Sequence, residues 1–201
     1  MNESHSDRPI GRGNPLVARL RRLSRSASDR ESESAMLVEG VRLAEEALAS
    51  RVRLDAAITS ERLDRTPRGA ALLASLFASE VPHWRAGDSL MDSLGDADTH
   101  QGVLLIAARP SHRLEAIIPA EGAALLVVTV GVQDPGNLGA LVRIAEAAGA
   151  CGLASIEGAD PCGPKAARAS AGSIFRLPVA RLTGSDAAPR CLDLCRARGL
   201  S

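Results

Sequence analysis

Residues 127–150, VVTVGVQDPGNLGALVRIAEAAGA, change character within a single loop. The run 127–130 is apolar and β-branched, which predicts a buried strand. Gly131 ends it, and Asp134, Pro135 and Gly136 supply the φ values and side-chain acceptor of a tight turn. A helical spacing follows, predicted over 138–148, with Leu141, Ile144, Ala145 and Ala148 as its apolar stripe. Asn137 stands at the expected N-cap. Arg143 projects off the stripe, and Glu146, three positions on, is close enough to pair with it. Two readings are open. One is a capped helix with an exposed Arg143–Glu146 pair. The other is an arginine that holds a phosphate or polarises a hydroxyl, since ligands of open α/β sheets bind at the carboxyl ends of the strands. GVQDPGNLG matches neither GxGxxG nor GxxxxGK[ST], which argues against a dinucleotide fold and a P-loop.

The same alternation extends in both directions. Upstream, NPLVARLRRLSR places Leu16, Val17, Leu20 and Leu23 at helical spacing with arginines opposite. After the polar break SASDRESES come AMLVEG (strand), VRLAEEALAS (helix, with Val41, Ala44, Ala47 and Leu48 inward) and VRLDAAIT (strand). RGAALLASLFAS (helix), VPHW (short strand), DSLMDSLG (one or two helical turns) and GVLLIAA (strand) complete this half. Strands alternating with helices predict a mainly parallel sheet covered on both faces. Downstream, CGLASI and IFRLPVAR read as strands, KAARASAG and SDAAPRCLDLCRARG as helices. The expected organisation is a disordered tail over 1–13, an α/β domain over 14–108, a linker over 109–124 and a second α/β domain from 125. Three strands and three helices make a thin sheet, and the expectation is a fragment or truncated product.

Formal charge is balanced at 24 basic and 24 acidic residues, but Arg12, Arg19, Arg21, Arg22, Arg25 and Arg30 crowd together against Asp29 alone. Guanidinium forks match phosphate oxygens, although a solvated helix face explains such a cluster equally well. One Trp and two Phe (Trp84, Phe77, Phe175) are too few for single-strand binding by base stacking. No apolar run reaches a membrane span or a signal peptide, so the expected location is cytoplasmic. Cys151, Cys162, Cys191 and Cys195 form no CxxC; free thiols are expected and no metal site.

VQDPGNLGALVRIAEAAG resembles the first motif of the SpoU (TrmH-like) RNA ribose 2′-O-methyltransferases, with Asp134, Pro135, Asn137, Gly139 and Arg143 in the motif positions. NPLVARLRRLSR, LVEGVRLAEEAL and HQGVLLIA resemble that family's L30e-like substrate-binding domain, and KAARASAGSIFRLPV the segment after the first motif. The resemblance implies an L30e-like α/β/α domain followed by an incomplete SPOUT (α/β knot) methyltransferase domain. It implies that Arg143 activates or positions a ribose 2′-hydroxyl and that Asn137 orders the loop around it. Arg168 and Ser170 are expected at RNA phosphate or the cofactor pocket, and Arg19, Arg22 and Arg42 at RNA. The implied cofactor is S-adenosylmethionine and the implied partners are RNA (ribosomal or transfer) and a second copy of the chain. The family's Gly-Asn-Glu and Ser-x-Asn motifs, which build the cofactor pocket, do not occur in this sequence. The 201 residues are therefore expected to be inactive alone; a non-catalytic L30e-type RNA-binding module is the alternative.

Overall fold

A computed structural model describes residues 8–95, 100–122 and 124–200. They divide into two compact units, 1–109 and 110–201.

The first unit starts with β1 (Arg8–Pro9), which pairs with a later strand through Arg8 and Trp84. Residues 8–13 are thus ordered, contrary to the expected tail, because β1 and Ile10 have a sheet edge to join; residues 1–7 of that tail lie outside the described residues. Asn14 caps α1 (Pro15–Arg25), accepting from Leu16 N at 2.9 Å, with Pro15 preset for the first turn. Val17, Leu20 and Leu23 are its buried face, as the spacing predicts. Then come α2 (Ala27–Ser32), β2 (Ala35–Glu39), α3 (Val41–Ala49), β3 (Leu54–Thr59) and α4 (Glu61–Asp64). α5 (Pro67–Ala78), β4 (His83–Arg85), α6 (Asp88–Asp92) and β5 (Val103–Ala108) complete the unit. On α3 the buried residues are Val41, Leu43, Ala44 and Ala47; Leu43 takes the place expected of Leu48.

The sheet order is β1-β4-β3-β5-β2. It is mixed rather than mainly parallel: β1, β4 and β3 run together, and β5 is antiparallel to both β3 and β2. The five residues of α6 cover roughly 7.5 Å, against about 20 Å for a six-residue strand, so α6 does not return the chain to the starting end of the sheet. One face packs Leu37, Ile58, Leu104 and Ile106 against Leu20, Leu23 and Met91 from α1 and α6. Met36, Val38, Ala57 and Leu105 alternate with these and are equally buried, so both faces are covered.

The second unit opens with α7 (Leu114–Ile117), in the segment expected to be a linker. Leu114, Ile117 and Ile118 are almost fully buried in this unit's core, so the segment is part of the domain; three apolar residues of a Pro-containing stretch had somewhere to pack. β6 (Leu126–Val130), α8 (Pro135–Ala147), β7 (Gly152–Ile156), α9 (Pro164–Ala169), β8 (Val179–Leu182) and α10 (Ala187–Ala197) follow. The sheet is parallel in the order β6-β7-β8. Ile174 and Phe175, expected to begin a strand, belong instead to a 3-10 turn (Ser173–Phe175) before β8. Ala154, Ile156 and Ala180 on one sheet face pack under α7 and α10.

Candidate functional site

The quoted stretch becomes β6, its loop and α8. The loop is pinned by its neighbour: Ala159 N donates to Val132 O at 2.9 Å, and Gly131 N donates to Ile156 O at 2.8 Å. Gly158, with φ +87°, lies so close that a Cβ would sit 2.4 Å from Val132 O. Only glycine permits both the conformation and the approach. The loops after β6 and β7 are therefore held together at the carboxyl edge of the sheet.

The N-cap of α8 is Asp134 rather than Asn137. Asp134 Oδ1 accepts from Asn137 N at 2.8 Å, and its Oδ2 meets Lys165 Nζ on α9 at 2.9 Å. The chain's one lysine thus anchors the cap. That ion pair, reinforced by the Asn137 backbone N–H, holds the Asp134 carboxyl below its ordinary range. Pro135 occupies the first helical position, which places Asn137 inside the first turn with its side chain exposed. Below it, α8 lies against α9 at close range: a Cβ on Gly139 would fall 2.2 Å from Ala166 O and 2.7 Å from Ala169 Cβ.

The buried face of α8 is Leu138, Gly139, Val142 and Ala145. The predicted stripe is displaced by this contact: Gly139, which carries no hydrophobic signal, sets the face against α9, and Ile144 is left 62% exposed. Arg143 is exposed, and among the described residues no ion pair or hydrogen bond engages its side chain. The expected Arg143–Glu146 pair does not form. Glu146 is taken by Arg176, at 2.5 and 3.1 Å, and this lowers the Glu146 carboxyl's pKa. Six residues of α-helix separate Asn137 from Arg143 by about 9 Å along the axis and about 120° around it, so their side chains do not meet.

Ser170 is completely buried at the C-terminus of α9. Its hydroxyl donates to Ala167 O at 2.7 Å and accepts from Ile174 N at 3.4 Å. It closes the turn after α9, with its hydroxyl engaged inside the fold rather than on the surface. Arg168, in the last turn of α9, is half-buried and already has a partner. In the first unit Arg19 is bound by Glu33 at 2.6 Å and Asp55 at 3.0 Å, and Arg22 shares Glu33 at 3.1 Å. Two of the three first-unit cations expected at RNA are thus already engaged by carboxylates. Arg42 is exposed on α3. The four cysteines are free thiols; burial and the neighbouring Cys195 thiol raise Cys191 to about 11. No helix among the described residues is long and apolar enough to cross a membrane.

Comparison with known proteins bears on both units. Residues 124–200 match the model of the SpoU rRNA Methylase family, and residues 14–105 match the MRM3-like substrate binding domain. The chain is 30% identical over 189 residues to an uncharacterized tRNA/rRNA methyltransferase of Synechocystis, covering 93% of this chain and 65% of that one. It is 27% identical over 173 residues to a Bacillus subtilis 23S rRNA (guanosine(2553)-2′-O)-methyltransferase, covering 86% and 62%. It therefore spans less than two thirds of either relative's length. Among solved structures, an AdoMet-bound rRNA methyltransferase from Sinorhizobium meliloti superposes with a TM-score of 0.76 at 25% identity, covering 94% of this chain and 69% of that one. An RNA 2′-O ribose methyltransferase gives 0.75 at 29% identity, with 96% and 70% covered.

Proposed function

We propose, from the premise that this chain belongs to the SpoU rRNA methylase family, that it presents the ribose-facing side of an RNA 2′-O-methyltransferase whose methyl donor is S-adenosylmethionine. The observation that carries the reading is the state of Arg143. Its guanidinium is exposed and unengaged among the described residues, while Asp134–Lys165, the Gly139 contact and Glu146–Arg176 fix the helix that bears it.

A ribose 2′-hydroxyl is a weak nucleophile at neutral pH. A guanidinium that stays protonated cannot take its proton, but it stabilises the negative charge left on the oxygen as that proton passes to water or an RNA phosphate oxygen; the oxygen then attacks the methyl carbon and the C–S bond breaks with its electron pair going to sulfur. A helix held at both its cap and its flank keeps that charge in one place, which is where the gain from preorganisation arises. The Asn137 amide, exposed in the first turn, is placed to orient the RNA strand at the loop edge.

S-adenosylmethionine supplies an electrophilic methyl group on a sulfonium. A recess of about 550 Å³ in this unit, lined by Leu125, Leu126, Val128, Leu192 and Leu200, lies around the start of β6 rather than at the carboxyl edge. Neither Gly-Asn-Glu nor Ser-x-Asn occurs between residues 124 and 200. The contribution assigned to these residues is the RNA side of the reaction. RNA is the substrate class and the cytoplasm the proposed compartment.

The test is transfer of radiolabelled methyl from S-adenosylmethionine to ribosomal RNA by the purified protein. Arg143→Ala should lower kcat by about 10²–10³-fold, the cost of removing one preorganised donor. Its melting temperature should be unchanged, because the side chain is exposed and unpaired. A variant within about threefold of wild type would remove Arg143 from the chemistry.

A further inference from the structure

The arginine cluster at the start of the chain is sorted by its ion pairs. Arg19 and Arg22 are held by Glu33 and Asp55, and Arg30 is buried with its guanidinium on Leu23 O at 2.6 Å. Elsewhere in the first unit Arg53, Arg62, Arg65, Arg68, Arg85 and Arg109 each sit against a carboxylate. Among the described residues of this unit Arg8, Arg12, Arg21, Arg25, Arg42 and Arg51 have no such partner, and of these Arg21 and Arg25 stand together. They are four apart on α1 and so lie on the same side of the helix. They also line one recess of about 300 Å³ with Ser24, Ser93, Leu94 and Gly95, where the end of α1 meets the end of α6.

We infer that this recess is a phosphate cradle for the backbone of the RNA substrate, with Arg21 and Arg25 as its two cations. The inference rests on the RNA reading above and moves the contacts from Arg19 and Arg22 to the neighbouring positions. The physical reason is exchange. An arginine already paired to a carboxylate must break that pair to meet a phosphate, so little is gained; an unpaired one keeps its full Coulomb attraction. A bland explanation also exists for cations here, since the C-terminus of a helix favours positive charge. It accounts for Arg22 and Arg25, in the last turn. It does not account for Arg21 joining Arg25 in a shared recess. The Ser24 hydroxyl, in the lining and without a hydrogen-bond partner among the described residues, adds a donor of the kind that meets phosphate oxygens. With no aromatic side chain in the lining, the recess has nothing to stack a base on. It would therefore read backbone and not sequence.

The experiment is binding of a labelled stem-loop RNA to the full chain, measured between 50 and 200 mM salt, the range over which about six to ten phosphate contacts cost 10³–10⁵ in affinity. Removing both cations in Arg21→Ala/Arg25→Ala should flatten the slope of log K against log salt by about 1.4–1.8, two contacts at 0.7–0.9 each. Arg21→Lys/Arg25→Lys should recover the slope, which also guards against a folding defect. Arg53→Ala/Arg68→Ala removes the same net charge from residues held by Asp55 and Glu45 and should leave the slope unchanged. A steep wild-type slope that the Arg21/Arg25 variant shares would overturn the cradle and leave the RNA reading standing. A flat wild-type response would overturn both.

Discussion

Arg143 and Glu146 illustrate how a single residue's role depends on a partner far along the chain. Their spacing invites an i,i+3 pair, yet Glu146 is claimed by Arg176, 30 positions later, and Arg143 is released to solvent. The pH dependence of that substitution of partners is predictable. The Glu146 carboxyl is held below its ordinary value, first by Arg176 and with Ser173 assisting. A group whose folded pKa is depressed stabilises the fold above its unfolded value of about 4.5 and loses that contribution as the pH falls through the depressed one. Glu146→Gln should therefore melt earlier than wild type at neutral pH, by a difference worth about 0.5 kcal/mol after solvent screening of a pair exposed by 30% and 40%. The two proteins should converge in acid. Melting curves that stay parallel down to the acid limit would show that the pair contributes nothing through charge.

At the scale of elements, the decisive contact is α8 on α9. Gly139 makes it possible: any side chain would collide with the Ala166 carbonyl, which belongs to a backbone that cannot swing aside. Gly139→Ala should cost about 2–3 kcal/mol by overpacking, despite the general preference of helices for alanine over glycine. Urea unfolding is the measurement; a variant as stable as wild type would mean that the two helices can separate without loss. This contact also explains what the sequence leaves hidden. The longer strands and helices and their order are legible from periodicity, because burial imprints it, whereas the short β1, α2, α4 and α7 are not. Which face of α8 is inward is not legible either, since Gly139 lends no hydrophobic weight and Ile144 falls on the predicted stripe yet is exposed. The cap lies three residues before the expected Asn137 for a related reason. Asp134 and Asn137 are both good caps, and only the approach of Lys165 on α9 distinguishes them. In the same way the arginine cluster was visible as composition, while its division into paired and unpaired members depends on Glu33 and Asp55 arriving from elsewhere in the fold.

At the scale of the whole chain, each unit has a core to itself. The apolar cluster of the first unit runs from Ile10 to Ile106, and that of the second from Leu114 to Leu200. The reassignment of 110–118 from linker to core matters here, because it gives the second unit Leu114, Ile117 and Ile118 to bury under its thin sheet. Each such side chain contributes roughly 1.5–3 kcal/mol when taken out of water. Two cores built from separate stretches predict two cooperative unfolding events rather than one. Calorimetry of the full chain provides the check when combined with substitutions placed one per unit. Gly139→Ala should lower one transition and leave the other within error, and Leu20→Ala, which hollows the first core at a fully buried position, should do the reverse at a cost of about 2–5 kcal/mol. If either substitution moved both transitions together, the units would be folding as one body, and the division at Arg109 would describe shape without describing cooperativity.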